Sequence, residues 1–304
     1  MTANSSSKRS ILDHLAAGEI LVFDGGTGTY LQGHGLEPGA SPELMNDTNP
    51  EVITQMAADY FAAGSDMVLT NTFGCNKFVM TRHKAGDRVR EINIKAAQNA
   101  RAAAPPGKFV VGSVGPVGQL MEPSGELSED EVYDALAEQI TALEEGGVDA
   151  VMIETQLALE EATVGIRAAK ENTKLIVMST MTFDKGPRGY FTLTGVTPEV
   201  AVAGLQEAGA DIVGTNCGSG IDRMVEIATR MRAVTDGYLV VQSNAGIPTL
   251  VKGETCYRDT PEMMASGYRK LAELPVNVLG GCCGTTPAHI KALAESVKVY
   301  TASV

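Results

Sequence analysis

Tryptophan is absent from the 304 residues, histidine occurs four times, and aromatic residues make up only 5% of the chain. The missing tryptophan removes the best ring for an aromatic cage around a quaternary ammonium. His14, His34, His83 and His289 are too few and too scattered for a His-rich metallohydrolase or a histidine acid/base centre. Positive charge is short as well. Against 37 acidic residues stand 24 basic ones, and the formal net charge of −13 is repelled by phosphate backbones and anionic lipid surfaces. Nucleic acid and membrane partners are thereby excluded. No apolar stretch is long enough for a signal h-region or a membrane span. The chain reads as cytoplasmic, with a flexible Ser-rich N-terminus at 1–10 and one domain over 11–304. The five cysteines are odd in number, and Cys282 and Cys283 are adjacent. That pattern is wrong for a secreted disulfide framework and familiar in metal ligation. A hydrophobic content of 44% supplies a sizeable core and excludes disorder.

What is present is an internal echo. Residues 63–72 (AGSDMVLTNT), 146–155 (GGVDAVMIET) and 208–217 (AGADIVGTNC) each give a helix-terminating Gly, an Asp, an apolar run and a polar end. Gly suits the left-handed residue that closes a helix, and a short β-branched run suits a strand buried on both faces. Similar runs at 20–26, 108–116, 174–183, 238–246 and 276–284 bring the strands to eight. Helical patterns lie between them at 51–63, 87–103, 128–145, 158–171, 198–208, 221–234, 260–273 and 287–298. Ser128 with Glu131 reads as a capping box, while Thr197-Pro198 and Thr286-Pro287 place a cap before a first-turn proline. Eight alternations without a break in composition predict a single (β/α)8 barrel, with a doubly wound sheet as the other fold open to them. The Gly/Pro-rich segments 32–50 and 184–196 are long excursions on the face where barrels carry function.

In a barrel the strand ends converge. Read in order they bear Asp24, Asn71, Ser113, Glu154, Thr182, Cys217, Asn244 and the Cys282-Cys283 pair. Neighbouring side chains of a regular strand point to opposite faces, so Cys282 and Cys283 reach one ion only where the backbone leaves the ladder. Gly280, Gly281 and Gly284 permit that. Three thiolates, with Cys217, leave one position of a tetrahedral zinc open, as in a catalytic site. So soft a set suits a zinc that binds a substrate thiol and keeps it nucleophilic. The plainer alternative is three buried core cysteines.

Asp24-Gly25-Gly26-Thr27-Gly28-Thr29 is a glycine-rich turn whose N–H groups suit a carboxylate or phosphate. It lacks the Lys of a P-loop, and its alternative is a tight βα turn. Glu154 ends an otherwise apolar strand, a costly place for a carboxylate unless a cation, such as a substrate ammonium, meets it. A local ion pair is the other reading. Asp24 follows the same logic, or bonds the glycine turn. Asn71 and Asn244 position substrate or cap loops. Lys185, beside Gly-Pro, reads as exposed loop rather than as a Schiff-base site. Thiolate-bound zinc, an ammonium-seeking carboxylate and a carboxylate-seeking turn describe a site for an amino acid bearing a thiol. Homocysteine fits.

DGGTGT at 24–29, TNTFGCN at 70–76, GSVGP at 112–116, TNCG at 215–218, SNAGIP at 243–248 and GGCCGT at 280–285 resemble the homocysteine S-methyltransferases. The resemblance runs from about residue 10 to about 300. It implies a zinc-bearing (β/α)8 barrel with Cys217, Cys282 and Cys283 as ligands and Asn244 at the fourth position until substrate sulfur arrives. It further implies that Asp24 and Glu154 face the homocysteine ammonium and that Gly25 to Thr29 cradle its carboxylate. The implied reaction is an in-line displacement in which the thiolate takes a methyl group and the thioether leaves as methionine.

The methyl donor stays open between a small onium compound, such as betaine or S-methylmethionine, and a methyl-corrinoid carried by a separate protein. Because the sequence shows no folate or corrinoid segment, the onium compound is the expectation. Tyr30, Phe73, Phe78, Tyr190 and Phe191 are then the rings to enclose it. Two rival readings are a different thiol acceptor and a non-catalytic, redox-sensing zinc barrel.

Overall fold

The computed structural model describes residues 9–251 and 254–302. Most of the segment expected to be flexible, 1–10, lies outside them. Eight parallel strands form one sheet: β1 (Leu21–Val22), β2 (Met67–Leu69), β3 (Phe109–Val114), β4 (Ala150–Gln156), β5 (Ile176–Met181), β6 (Ile212–Gly220), β7 (Tyr238–Asn244) and β8 (Val278–Gly281). The helices that follow them are α1 (Pro50–Ala63), α2 (Val89–Ala103), α3 (Glu129–Gly146), α4 (Leu159–Asn172), α5 (Pro198–Glu207), α6 (Ile221–Arg232), α7 (Pro261–Glu273) and α8 (Pro287–Thr301). The sheet order β1-β8-β7-β6-β5-β4-β3-β2 curls round until β1 and β2 meet, so the molecule is a (β/α)8 barrel and not a doubly wound sheet. Among the described residues no helix is long and apolar enough to cross a membrane.

The strands alternate their side chains between two cores, as their period of two requires. Leu21, Met67, Phe109, Val111, Met152, Met178, Ile212, Val240 and Val278 fill the barrel interior. A short helix that the sequence pattern did not reveal, Ile11–Ala16, inserts Ile11 and Leu15 into that same core. Val22, Val68, Val110, Val151, Val177, Val213, Leu239 and Leu279 point outward and pack under the helices. All three predicted N-caps stand at their helix starts, and two of them close the first turn with a side-chain bond. The Ser128 side chain accepts from the Glu131 N–H, and Thr197 caps α5 through Val200.

The echo has a physical cause beyond strand burial. Gly64, Gly147 and Gly209 close their helices at φ of 113°, 91° and 101°, values that favour glycine. The aspartates that follow are stitches. Asp66 donates its N–H to the Val22 carbonyl (2.7 Å) and accepts from the Val22 N–H (2.8 Å). Asp149 does the same to Val110, and Asp211 to Val177, each with a carboxylate bond of 2.8 Å. Asn277 repeats the pattern on Leu239 (2.8 Å). Each even-numbered strand is thus tied at its start to the strand before it. A basic side chain steadies each tie: Lys108 at Asp66, Arg101 at Asp149, Lys170 at Asp211 and Arg232 at Asn277. Asp211→Ala leaves the Val177 N–H and Lys170 without their acceptor, and the expected loss in urea unfolding is about 1–3 kcal/mol. A change below about 0.5 kcal/mol, the size of an ordinary surface substitution, would reduce the stitch to decoration.

The seam between β1 and β2 has no ladder. It is closed by Asp66 at the lower end and by Asp24 at the upper end, where the Asp24 carboxylate accepts from the Leu69 N–H at 2.8 Å.

The excursions are more ordered than their composition implies. Residues 32–50 carry the short helical turns Pro42–Leu44 and Met45–Thr48, and 184–196 carries the hairpin Asp184–Gly186/Gly189–Phe191.

Candidate active site

A pocket of about 260 Å³ opens at the C-terminal ends of the strands. Gly25 to Thr29, Asn71, Glu154, Cys217, Cys282 and Cys283 all line it, although they lie as far apart as 258 positions in sequence. No lysine, arginine or histidine is among its lining residues. His289 is buried elsewhere, with Nε2 on the Asp259 carbonyl, and Lys185 pairs with Glu226 at 3.0 Å.

The sulfur cluster is made by two departures from strand geometry. β8 ends at Gly281, and the chain then turns: the Cys282 carbonyl accepts from the Thr285 N–H and hydroxyl, and the Cys283 carbonyl accepts from Ala245. A Cβ on Gly281 would fall 2.3 Å from Thr285 Oγ1, so glycine there is obligatory for the turn. Cys217 sits at φ 59°, a left-handed conformation rare outside glycine, which turns its side chain off the β6 pleat. The three sulfurs consequently lie within 4.8 Å of one another, close enough to hold one metal ion. They behave as one coupled set. Hydrogen bonds from Cys282 and Cys283 pull the Cys217 thiol down to about 3. The same bonds push the two donors up, Cys283 to about 11. The Asn244 side chain also bonds Cys217, and its Oδ1 is buried without a protein partner.

Beside the sulfurs stand two buried carboxylates. Glu154 is 6% exposed. Its Oε1 accepts from the Ser113 hydroxyl at 2.5 Å and its Oε2 from Asn216 Nδ2 at 3.1 Å. Burial pushes its carboxyl up to about 7, against the pull of the Ser113 hydrogen bond. Asp24, 1% exposed, is pushed well above the usual carboxylate range by burial, and the nearby Glu154 charge adds to this. Its Oδ2 is used at the β1–β2 seam, while Oδ1 is buried with no partner. Both carboxyls have raised affinity for protons; Glu154 lines the pocket, where no basic residue is at hand, whereas Asp24 is not among the lining residues.

Gly25 to Thr29 take a different form from the expected turn. Thr27–Gln32 is a short helix with Gly26 as N-cap, so the N–H groups of its first turn have no intrahelical acceptor, while that of Gly26 is bonded to Thr285 Oγ1 at 3.0 Å. Gly25 and Gly26 have no room for side chains: a Cβ would meet Thr285 Oγ1 at 2.7 Å and the Cys282 carbonyl at 2.8 Å. Asn71 lines the pocket but spends its Nδ2 on the Pro42 carbonyl (2.7 Å), latching the excursion over the mouth.

The five rings expected to enclose a donor are not brought together. Phe73 lines the pocket, whereas Tyr30 is buried with its hydroxyl on Asp59 (2.6 Å) and its ring stacked on His34. Tyr190 bonds Glu226, Phe78 packs on the helical core, and Phe191 lies under Arg188. The sequence reading named Ser113 at a strand end without a role and passed over Asn216, Gln242 and Glu43. The first two hold Glu154. Gln242 and Glu43 line the pocket, and Glu43 is a buried carboxylate bonded by Ser41 and the Gly74 N–H.

Residues 21–297 match the family model for homocysteine S-methyltransferase. The methionine synthases of Mycobacterium tuberculosis and Mycobacterium leprae are each 32% identical to this chain, over 94% and 97% of its length. The chain spans about a quarter of those relatives, 25% and 26%. Among solved structures, the metallated homocysteine methyltransferase MmuM of Escherichia coli superposes with a TM-score of 0.78 at 22% identity, covering 94% of this chain and 99% of that one. A methyltransferase from Methanosarcina mazei gives 0.61 at 14% identity, over 96% and 99%. These two likenesses concern the fold. The family match extends over nearly the whole barrel and every strand end described above, and the chain belongs to the homocysteine S-methyltransferase family.

Proposed function

We propose that this barrel transfers a methyl group from a small onium compound to the sulfur of homocysteine, forming methionine. The observation that carries the reading is the placement of three sulfurs and the buried Glu154 carboxyl in one pocket without a basic side chain, with Asp24 close to Glu154. A zinc ion fits the donor set, because three thiols whose protons are already shared through mutual hydrogen bonds exchange them readily for one soft divalent cation. Cys217, Cys282 and Cys283 would hold it, with Asn244 beside them as the exchangeable fourth group. When bound, zinc supplies a Lewis acid that keeps a substrate thiol ionised at neutral pH. Thiols that must stay reduced suit the cytoplasm.

The chain's own residues bind and aim the acceptor. Glu154 and Asp24 take the ammonium, and the helix start at Gly25, Gly26, Thr27, Gly28 and Thr29 takes the carboxylate. Asn71 keeps the excursion closed above them. With the amino-acid head fixed, the sulfur is held for in-line attack. One C–S bond forms, the bond from methyl carbon to the donor heteroatom breaks, and its electron pair stays on that heteroatom, whose positive charge is discharged. No proton moves in that step, in keeping with a pocket free of histidine. Glu43 and Phe73, a carboxyl group and an aromatic ring in the pocket lining, support a cationic donor over a neutral one.

The test is a donor screen with zinc-loaded protein and homocysteine, offering betaine, S-methylmethionine, a dimethylsulfonium acid, methylcobalamin and a methylated corrinoid protein. Methionine from an onium compound at millimolar concentration is the expected result. Transfer from the corrinoid with every onium compound inert overturns the donor and leaves the acceptor standing. Methylation of other thiols in preference to homocysteine overturns the acceptor.

A further inference from the structure

The carboxylate that meets an ammonium and the cysteine that meets a sulfur sit on β4 and β6, two strands that are not neighbours, because β5 runs between them. Both strands also leave their ladders where these residues stand. The register of β4 against β5 shifts between Ile153 and Gln156, and that of β6 against β7 shifts between Asn216 and Gly220. Thr155 and Cys217 each adopt φ 59°. Ladder hydrogen bonds therefore do not set the distance between Glu154 and Cys217.

A single side chain spans the gap. Asn216, fully buried, sends its carboxamide across the end of β5. Its Oδ1 accepts from the Thr155 N–H and from the Thr180 hydroxyl, both at 2.9 Å. Its Nδ2 donates to Thr155 Oγ1 at 2.7 Å and to Glu154 Oε2 at 3.1 Å, and lies 4.0 Å from Cys282 Sγ. Its own carbonyl accepts from the Thr182 hydroxyl at 2.9 Å. One residue before Cys217, this amide replaces the missing ladder with contacts to β4, β5 and the sulfur cluster together.

We propose that Asn216 is a positioning residue that sets the span between the ammonium end and the sulfur end of the acceptor. The inference rests on homocysteine as that acceptor. A ligand held at both ends gains over its separate halves only when the two subsites stand at the spacing of its chain, so the residue that fixes the spacing governs the gain from joining them. Asn216 touches no part of the substrate in this account.

The experiment is calorimetric titration of zinc-loaded wild-type and Asn216→Ser protein with homocysteine and with 2-aminobutyrate, which has the same amino-acid head and no sulfur. Zinc content is measured alongside. In the variant, homocysteine affinity is expected to fall about 10–100-fold, the range seen when partners of ligand groups are removed, while 2-aminobutyrate binds nearly as before and zinc is retained. Equal loss for both ligands limits Asn216 to orienting Glu154 and overturns the proposal. A lower melting temperature with both affinities unchanged, or loss of zinc, overturns it as well. If Asn216→Ser does not fold, Thr180→Val removes one donor to Oδ1 at nearly constant volume and is expected to act in the same direction. Wild-type protein that fails to bind homocysteine refutes the acceptor itself, an outcome separate from these.

Discussion

Replacing Cys217 with alanine is expected to remove the metal from the protein and to take methyl transfer below detection. Three sulfurs within 4.8 Å leave no fourth cysteine to substitute, since Cys75 is buried in a separate cluster around Met80 and Val89 and Cys256 is not part of the sulfur set. The loss should exceed the roughly 10–100-fold that follows removal of a group one bond further from a metal. Wild-type protein should carry about one zinc per chain, as a single three-thiolate site requires. Cys75→Ala and Cys256→Ser should keep both zinc and activity. Zinc measurement by atomic spectroscopy, with circular dichroism to confirm folding, checks all three. Full activity in a metal-free Cys217→Ala preparation sinks the mechanism, and loss of zinc from a folded Cys256→Ser protein sinks the ligand assignment.

Glu154→Gln should weaken homocysteine binding by about 1.5–3 kcal/mol, the worth of a hydrogen bond to a charged group. That is about 10–150-fold in Kd, with zinc content unchanged. The pH dependence follows from the burial that pushes the Glu154 carboxyl up to about 7. Below that value the side chain is protonated and offers an ammonium no charge. As pH rises through about 7 it ionises, so homocysteine affinity should strengthen over that interval in wild type, and this component should vanish in Glu154→Gln. Stability runs the other way. A carboxyl whose folded pKa lies above its unfolded value of 4.5 favours folding most at low pH and loses that contribution as pH climbs from 4.5 to about 7. Ligand-free Glu154→Gln should therefore be more stable than wild type above neutrality. Calorimetry across pH 6 to 8, about one unit either side of the midpoint, tests the affinity. A variant with wild-type affinity at every pH returns Glu154 to a structural role.

Much of this was legible in the sequence, for reasons that differ between levels. Every barrel strand was visible because burial on both faces demands uninterrupted apolar runs, and the helices because their apolar residues recur at helical spacing, with Ser128, Thr197 and Thr286 marking three of the starts. The Cys282-Cys283 pair stood out since adjacent cysteines are useless to a regular strand. Tyr30 misled. Its place beside the glycine turn suggests the mouth, but the short helix Thr27–Gln32 rotates its ring into the core against His34. Asn216 was hidden in plain view as the neighbour of Cys217. Its role depends on reaching over β5 to Thr155, a contact between residues 61 positions apart that no periodicity encodes. The aspartates of the echo were conspicuous, yet their task, pairing strands two by two, appears only once the partner N–H groups are in space.

Asp24 closes the hoop. Seven of the eight strand junctions are fastened by backbone ladders, whereas the upper end of the eighth hangs on one carboxylate oxygen whose twin is buried without a partner. A sequence drifting toward another substrate is free to reshape its excursions, but it cannot discard this aspartate without slackening the ring on which every other strand end is aligned.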